Sequence, residues 1–296
     1  MPTVANLPHE PFLAPLGSAG FRWRLGLRPL DLANWFDDGP DAPGWIAEKE
    51  IILADHHETV FAVLDDVDDE ANEVAKAVVS HLRFAGASCE LRSDVHPLEA
   101  ASRLVAEDLV LMIEREGRLV FGGGSVCFPN RWDLRSKLGL TLREVHAPVP
   151  RLNEQLGEPV ERILARLTPE RSYWRLGWGI IDVAEGYTPT DGTGPSRPAL
   201  PSTDTLHVRV ERETLRRFPC TGCVLFTIRT YVARLDDVAA DGVHRDRLAA
   251  AVDLMPGDVR EYKDLATFGE ELVRSLRSND GFAPEVDTLW LSFTER

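Results

Sequence analysis

Residues 205–231 read "TLHVRVERETLRRFPCTGCVLFTIRTY". Side chains alternate across an extended strand, so Leu206, Val208 and Val210 share one face of the first half. Val224, Phe226 and Ile228 share a face in the second half. Between the halves, Pro219-Cys220-Thr221-Gly222 supplies turn residues, and the stretch predicts two consecutive strands joined by a turn. The Cys220-x-x-Cys223 pair raises metal and redox chemistry. A zinc site needs four ligands, however, and neither Cys89 nor Cys127 forms a second pair of this spacing. A redox dithiol favours a helix N-terminus, whereas here a proline precedes the pair and a strand follows it. The pair is therefore read as a turn, with Cys223 the first small buried residue of the strand.

Working outward, "YWRLGWGII" (173–181) predicts a further strand, with Trp174, Leu176, Trp178 and Ile180 on one face. "LVLMIEREGRLVFGGGSVCFP" (109–129) predicts two strands around a Glu116-Gly117 turn. Gly122–Gly124 is not a phosphate loop, because no Gly-Lys-Ser/Thr follows; a bulge or tight packing explains it better. Leu152, Leu156, Val160, Ile163, Leu164 and Leu167 keep one helical face. Tyr187–Thr203 is a long Pro/Gly/Thr-rich connection. The order is two strands, helices, then three strands. It predicts an α+β fold with a PAS-like five-stranded antiparallel sheet and helices on one face, spanning residues 107–235. Residues 1–106 are an N-terminal elaboration. Residues 236–296 are a C-terminal helical tail with an apolar stripe of Leu265, Phe268, Leu272 and Leu276.

Within the N-terminal part, residues 1–48 read as an extended arm anchored by Phe12, Phe21, Trp23, Trp35, Phe36 and Trp45. The apolar runs "IIL" and "VFAVL" flank "ADHHET" and predict a hairpin or strand-loop-strand over Lys49–Leu64. The acidic run Asp65–Glu70, "DDVDDE", lacks calcium-loop spacing. It leads into Ala71, Val74, Ala75, Val78, Val79 and Leu82 at helical spacing, so its acids are read as capping that helix and facing its positive end.

The chain has 296 residues and a net charge of −15, from 48 acidic and 33 basic residues. Such a balance argues against nucleic-acid binding, which needs a clustered basic surface. Four cysteines make no disulfide framework. The first residues lack the pattern of a signal peptide, and no apolar run reaches the length of a bilayer span, so the expected location is the cytoplasm.

Two features carry candidate chemistry. His146 ends the stretch "NRWDLRSKLGLTLREVHAPVP", where Leu138, Leu142 and His146 share a face if one helix runs through them. Pro148 stops that helix just after the histidine. Such an imidazole is either a core histidine bonded to a carbonyl or a metal or haem ligand. The second feature is polar. Opposite the apolar faces of the last two strands lie Arg209, Glu211 and Glu213 on one, and Thr227, Arg229 and Tyr231 on the other. They are either solvated cross-strand pairs or convergent groups that close a pocket. His56, His57, His81 and His96 show no metal-site spacing.

Four stretches resemble the haem-dependent oxidative N-demethylases. They are "FRWRLGLRPLDLANWF", "VCFPNRWDLRSKLGLTLREVHAPVP", the arginine-x-x-tryptophan of "RSYW", and "RVERETLRRFPCTGCVLFTIRTY". The likeness runs over about residues 10–275. It implies a PAS-fold subunit that carries haem b, binds O2 and oxidises a small methylated amine, releasing formaldehyde. Electrons would come from NADPH through a flavin and iron–sulfur reductase partner. The resemblance makes His146 the axial ligand of the haem iron, with Arg212, Trp174 and Tyr231 beside it in the cofactor-binding set. It makes Arg229, Glu211 and Glu213 the catalytic set: Arg229 to polarise O2 or hold a propionate, Glu211 to pair with an ammonium. Glu213 stands where the family pattern has glutamine, and Tyr173 where it has asparagine. The alternatives are a haem-PAS gas or redox sensor and a cofactor-free interaction subunit.

Overall fold

The computed structural model describes residues 21–196, 201–202 and 204–278. In chain order the elements are β1 (Arg28–Pro29), α1 (Ala42–Asp55), α2 (His57–Val60), β2 (Phe61–Val63), α3 (Asp68–Phe84) and α4 (Pro97–Ser102). Then follow β3 (Asp108–Arg115), β4 (Arg118–Ser125), α5 (Leu142–Val145), α6 (Leu152–Ala165), β5 (Tyr173–Ile181), β6 (His207–Arg217) and β7 (Val224–Arg234). The last are α7 (Leu235–Ala239), α8 (Gly242–Asp253), α9 (Gly257–Tyr262) and α10 (Gly269–Ser278). Phe12 of the expected arm lies outside the described residues.

The strands form one antiparallel sheet in the order β1-β5-β6-β7-β3-β4-β2. It therefore has seven strands where five were expected. The central five are those read from the sequence, and β1 and β2, of two and three residues, extend the edges. Pieces this short carry no readable alternation. Of the two apolar runs in Lys49–Leu64 only the second becomes a strand. Ile51–Leu53 belongs to α1, where Pro43 opens the helix and Trp45, Lys49, Ile52 and Leu53 bury one face at helical spacing.

The β3–β4 turn is as expected: Glu116 and Gly117 both have positive φ, 52° and 74°. Two such residues match the twist of a two-residue hairpin. β4 is held between β3 and β2, so its glycines pack tightly. A Cβ on Gly123 would lie 2.6 Å from Val63 Cγ1 and 2.7 Å from Val63 Cα. In α3 the acids Asp68, Asp69 and Glu70 occupy the first turn, but Val67 is the N-cap and no side chain caps it. Their contribution is to the helix dipole, and the expected capping bond is not formed.

Helices cover both faces of the sheet, correcting the expectation of one. On the back, Leu109, Leu111 and Leu225 pack with Ile52 of α1, Val74 and Val78 of α3 and Leu98 of α4. Further along the back, Val208, Val210 and Ala233 pack with Leu248 and Val252 of α8 and with the expected stripe of Leu265, Phe268, Leu272 and Leu276. On the front, Val110, Met112 and Val224 pack with Leu134 and Leu167, joined by Leu142 and Val145 of α5. A strand that is covered on both sides buries both sets of alternating side chains.

Register then decides which polar groups meet. Arg212 pairs with Arg229 and Glu213 with Ile228 across β6 and β7. Arg209, Glu211 and Glu213 accordingly share the front with Val224, Phe226 and Ile228. Thr227, Arg229 and Tyr231 share the back with Val208 and Val210. The expected convergent set is thus split between opposite faces. The error lay in assuming that the apolar runs of both strands mark the same face. The turn between them is fixed by Glu73, whose carboxylate accepts the Cys220 and Thr221 N–H groups at 2.9 and 2.8 Å. Burial pushes the Cys223 thiol up to about 12, while Cys220 is exposed.

Gly123→Ala should cost about 1–3 kcal/mol, because the new methyl meets both the Val63 backbone and an unfavourable φ. Urea unfolding of the two proteins measures it directly.

Candidate functional site

His146 is placed by a short, well-signalled turn. Gly139 has φ 74°, which breaks the run from Leu138 and separates a 3-10 turn at Arg135–Lys137 from α5. Thr141 and Glu144 then form a capping box, Thr141 N–H donating to Glu144 Oε2 at 2.8 Å. The continuous helix expected through Leu138, Leu142 and His146 is therefore a single turn, with His146 as its C-cap. The His146 N–H donates to Leu142 O at 3.0 Å.

The imidazole lines a small cleft between α5 and α6 with Leu142, Leu152, Gly157 and Val160. Burial, and then the positive charges of Arg175 and Lys137, hold its pKa down to about 4. It is neutral at pH 7. Among the described residues no hydrogen-bond partner takes either ring nitrogen. The reading of a core histidine bonded to a carbonyl is not what the ring does.

Arg175 lies on the front of β5, where alternation sets it in line with Gly177 and Gly179. Two glycines leave that strip of the strand bare. Across it, Arg175 Nε meets Glu213 Oε2 at 2.7 Å. A Cβ on Gly177 would lie 3.1 Å from Glu213 Oε1, so the glycine gives the carboxylate its room. Glu213 is buried, and desolvation pushes its pKa up to about 7, against the pull of Arg175 and with the push of Glu211.

Glu211 is held beside it by Arg209, whose Nε donates to Oε1 at 2.8 Å. The buried Arg209 guanidinium also donates to Gly186 O at 3.1 Å and Thr230 Oγ1 at 3.0 Å. Nearby, Asp108 accepts the Cys127 and Phe128 N–H groups, both at 2.9 Å. The front of β5 and β6 thus carries two carboxylates, each with its own arginine, and Arg175 is near enough to act on the His146 imidazole.

The remaining candidates lie on the back. Arg229 is fully buried. It reaches Asp41 Oδ2 at 2.8 Å, donates to Thr230 O at 2.8 Å, and lies over the Tyr231 and Trp45 rings. Tyr231 donates its hydroxyl to Asp37. Arg212 donates to Trp35 O at 3.2 Å and to Asn34 O, and lies over the Trp174 ring. Arg229, Tyr231 and Arg212 fasten the 31–45 segment to the sheet, and Trp174 lies under Arg212 and Arg28. They are brought together with one another, and separated by the sheet from His146, Glu211 and Glu213.

Residues 82–273 match the family model described as haem-dependent oxidative N-demethylase, alpha subunit-like. The chain belongs to that family. Its haem dependence can be tested against the front-face residues. Among the described residues no three His, Cys, Asp or Glu side chains converge as a metal site. Haem iron needs only one strong protein ligand, because the macrocycle supplies the others. A neutral imidazole with no hydrogen-bond partner among the described residues meets that need, and Lys137, with Arg175 beside its Glu213 pair, offers positive charge to a carboxylated cofactor. The residues fit the group.

Two functional candidates were missed in the sequence. Arg175 had a readable signal: it alternates with Gly177 and Gly179 on the side of β5 opposite Trp174. Lys263, from the turn after α9, had none, since only the fold brings it to β5, where its Nζ donates to Trp178 O at 2.9 Å.

Because Glu213 titrates higher in the folded chain than an ordinary carboxylate, folding takes up a proton between the two pKa values. Stability at this group is therefore full at low pH and lost as pH rises through about 7. Wild type should lose up to about 3 kcal/mol more than Glu213→Gln between pH 4.5 and 7.5, read by urea unfolding across that range.

Proposed function

We propose that this chain is the haem-binding, oxygen-using subunit of an oxidative N-demethylase acting on a small methylated amine, with His146 as the axial ligand. The observation that carries this reading is the neutral His146 ring, without a hydrogen-bond partner among the described residues, in a cleft between α5 and α6 close enough to Arg175 to feel its charge. Haem b, when bound, would supply the redox chemistry by which O2 oxidises the methyl carbon, with formaldehyde as the released product. NADPH would be the electron source, through a flavin and iron–sulfur reductase; the family's description as an alpha subunit favours a partner of that kind.

In this reading the chain's own groups have separate tasks. His146 is kept deprotonated by burial and by Arg175, so its ring stays available as a ligand at neutral pH. Lys137, and Arg175 beside its Glu213 pair, would supply positive charge to the propionates. Glu213, with a pKa of about 7, holds or releases a proton near neutrality, which a glutamine at this position would not do. Glu211 is already matched by Arg209, so it contributes field to the pocket and not an unpaired counter-charge. Arg229, Arg212 and Tyr231 support the site from behind by fixing the 31–45 segment, and Trp174 backs Arg212 and pairs with Arg28 of β1.

We propose in addition that residues 107–235 form a PAS-like core, with 1–106 and 236–296 built onto it. The order β5-β6-β7-β3-β4, with α5 and α6 inserted between β4 and β5, supports this division.

Haemin titration tests the proposal. Wild type should develop a sharp Soret band, and His146→Ala should bind haemin about 100-fold more weakly or lose the ligand-specific spectrum. An unchanged spectrum in the variant would remove His146 from the role, and no Soret band in wild type would remove the haem.

A further inference from the structure

Arg209 is one of the largest fully buried side chains of the protein, and its donors are committed in several directions. Nη1 donates to Gly186 O at 3.1 Å, and Nη2 to Phe128 O at 2.5 Å and Thr230 Oγ1 at 3.0 Å. Nε donates to Glu211 Oε1 at 2.8 Å. A guanidinium is planar and its donors form a rigid fork, so the first three bonds fix the direction of the fourth. The acceptors are themselves held. Asp108 takes the Cys127 and Phe128 N–H groups, both at 2.9 Å, which fixes the peptide that offers Phe128 O. Lys49, fully buried, lies 3.9 Å from Asp108 Oδ1 and donates to Ser102 O and Val105 O at 3.3 and 3.0 Å. Gly186 is boxed in, for a Cβ there would lie 2.6 Å from the Trp45 ring and 2.8 Å from that of Phe128.

Glu211 and Glu213 both approach the bare Gly177 position. A Cβ there would lie 3.1 Å from Glu213 Oε1 and 3.8 Å from Glu211 Oε2. Like charges brought together this way resist double ionisation, and such a pair takes up its first proton as a unit. Two differences decide which member carries it. The Glu213 side chain is 10% exposed and that of Glu211 25%, so Glu213 loses more hydration when charged. Each has an arginine, but Arg175 is 30% exposed and Arg209 2%, so solvent and salt screen the Glu213 pair more than the Glu211 pair. Both differences favour charge on Glu211 and the proton on Glu213.

We propose that Arg209 is a positioning residue for proton chemistry on the front face: it holds Glu211 ionised and thereby places the proton of the carboxyl pair on Glu213. This rests on the reading of Glu213 as the proton-holding group for its biological role, though its electrostatics need no cofactor. The groups that act on Glu213 are Arg175 of β5 and Glu211 of its own strand, while its β7 neighbour Ile228 is apolar. Further out, Tyr262 of α9 and Lys263 feel Glu211, and His146 feels Arg175. Arg209 therefore reaches Glu213 through Glu211, and Asp108 and Lys49 set Arg209 through the Phe128 peptide.

The test is a pH titration of the full-length chain, labelled with 13C at the glutamate carboxyls and read by NMR. Glu211→Gln and Glu213→Gln assign the two signals. In wild type Glu213 should carry the response near pH 7. Arg209→Met removes the fork and keeps an apolar stem. Its Glu211 and Glu213 signals should move together in one step, with a midpoint at least about one pH unit higher. A Glu213 midpoint equal to that of wild type, or a Glu211 signal that stays silent in that step, would overturn the proposal. Glu211→Gln guards against a folding defect in the arginine variant. It should lower the Glu213 midpoint by about one unit, and an unchanged midpoint would overturn the proposal as well. Adding Arg209→Met to Glu211→Gln should bring little further change; a rise as large as in wild type would mean direct action on Glu213 and refute the positioning role. No haemin enters these titrations, so a failed Soret result leaves them readable, and a failed titration leaves the Soret result standing.

Discussion

The pairing of β6 with β7 decides what the rest of the molecule can do. With Arg212 set against Arg229, every other residue of both strands is assigned to one face. A slip of one residue would either move Glu211 and Glu213 away from the front or bring Arg229 to it, depending on which strand shifts. Several groups hold the register. Thr214 and Thr227 share a hydrogen bond at 2.6 Å on the back. Glu73 pins the connecting turn, and Arg209 bridges Glu211 to Thr230 on the neighbouring strand.

Charge is handled differently on the two faces. On the back, Arg229 and Arg212 spend their donors on Asp41 and on backbone carbonyls of the 31–45 segment, which is what allows a stretch with little regular structure to close over the sheet. Removing one partner of such a buried pair leaves an uncompensated charge. On the front, Arg175 pairs with Glu213 and Arg209 with Glu211 alongside Gly177, with Glu213 near its titration point. The same residue types therefore fasten a segment on one side and gather paired ionisable groups on the other.

The central strands were legible because they are long enough to show alternation, and the β3–β4 turn because Glu116-Gly117 states its geometry. The helix content of Ile51–Leu53 was not, since a three-residue apolar run suits either state and the deciding residues, Pro43 and Lys49, lie outside it. The family was readable from the 205–231 stretch and its companions. The assignment of Arg229 to the catalytic side was not recoverable from spacing. Alternation fixes which residues of a strand share a face, but it does not say which face of the next strand they join when both faces are buried. His146 was singled out in the sequence, but that Gly139 and the Thr141 cap cut its helix to one turn was not legible there.

The central claim is that the cofactor side of the sheet is the side of His146, Arg175 and Glu213, and that Arg229 and Arg212 stand behind it. Paramagnetic relaxation tests this most directly, using the side-chain 15N signals of arginines in protein reconstituted with ferric haem and assigned by single Arg→Lys variants. The effect falls steeply with distance, and the two sets of side chains lie on opposite faces of the sheet. Strong broadening of Arg175 with sharp Arg229 and Arg212 signals is the predicted result. Broadening of Arg229 and Arg212 beyond that of Arg175 would contradict it.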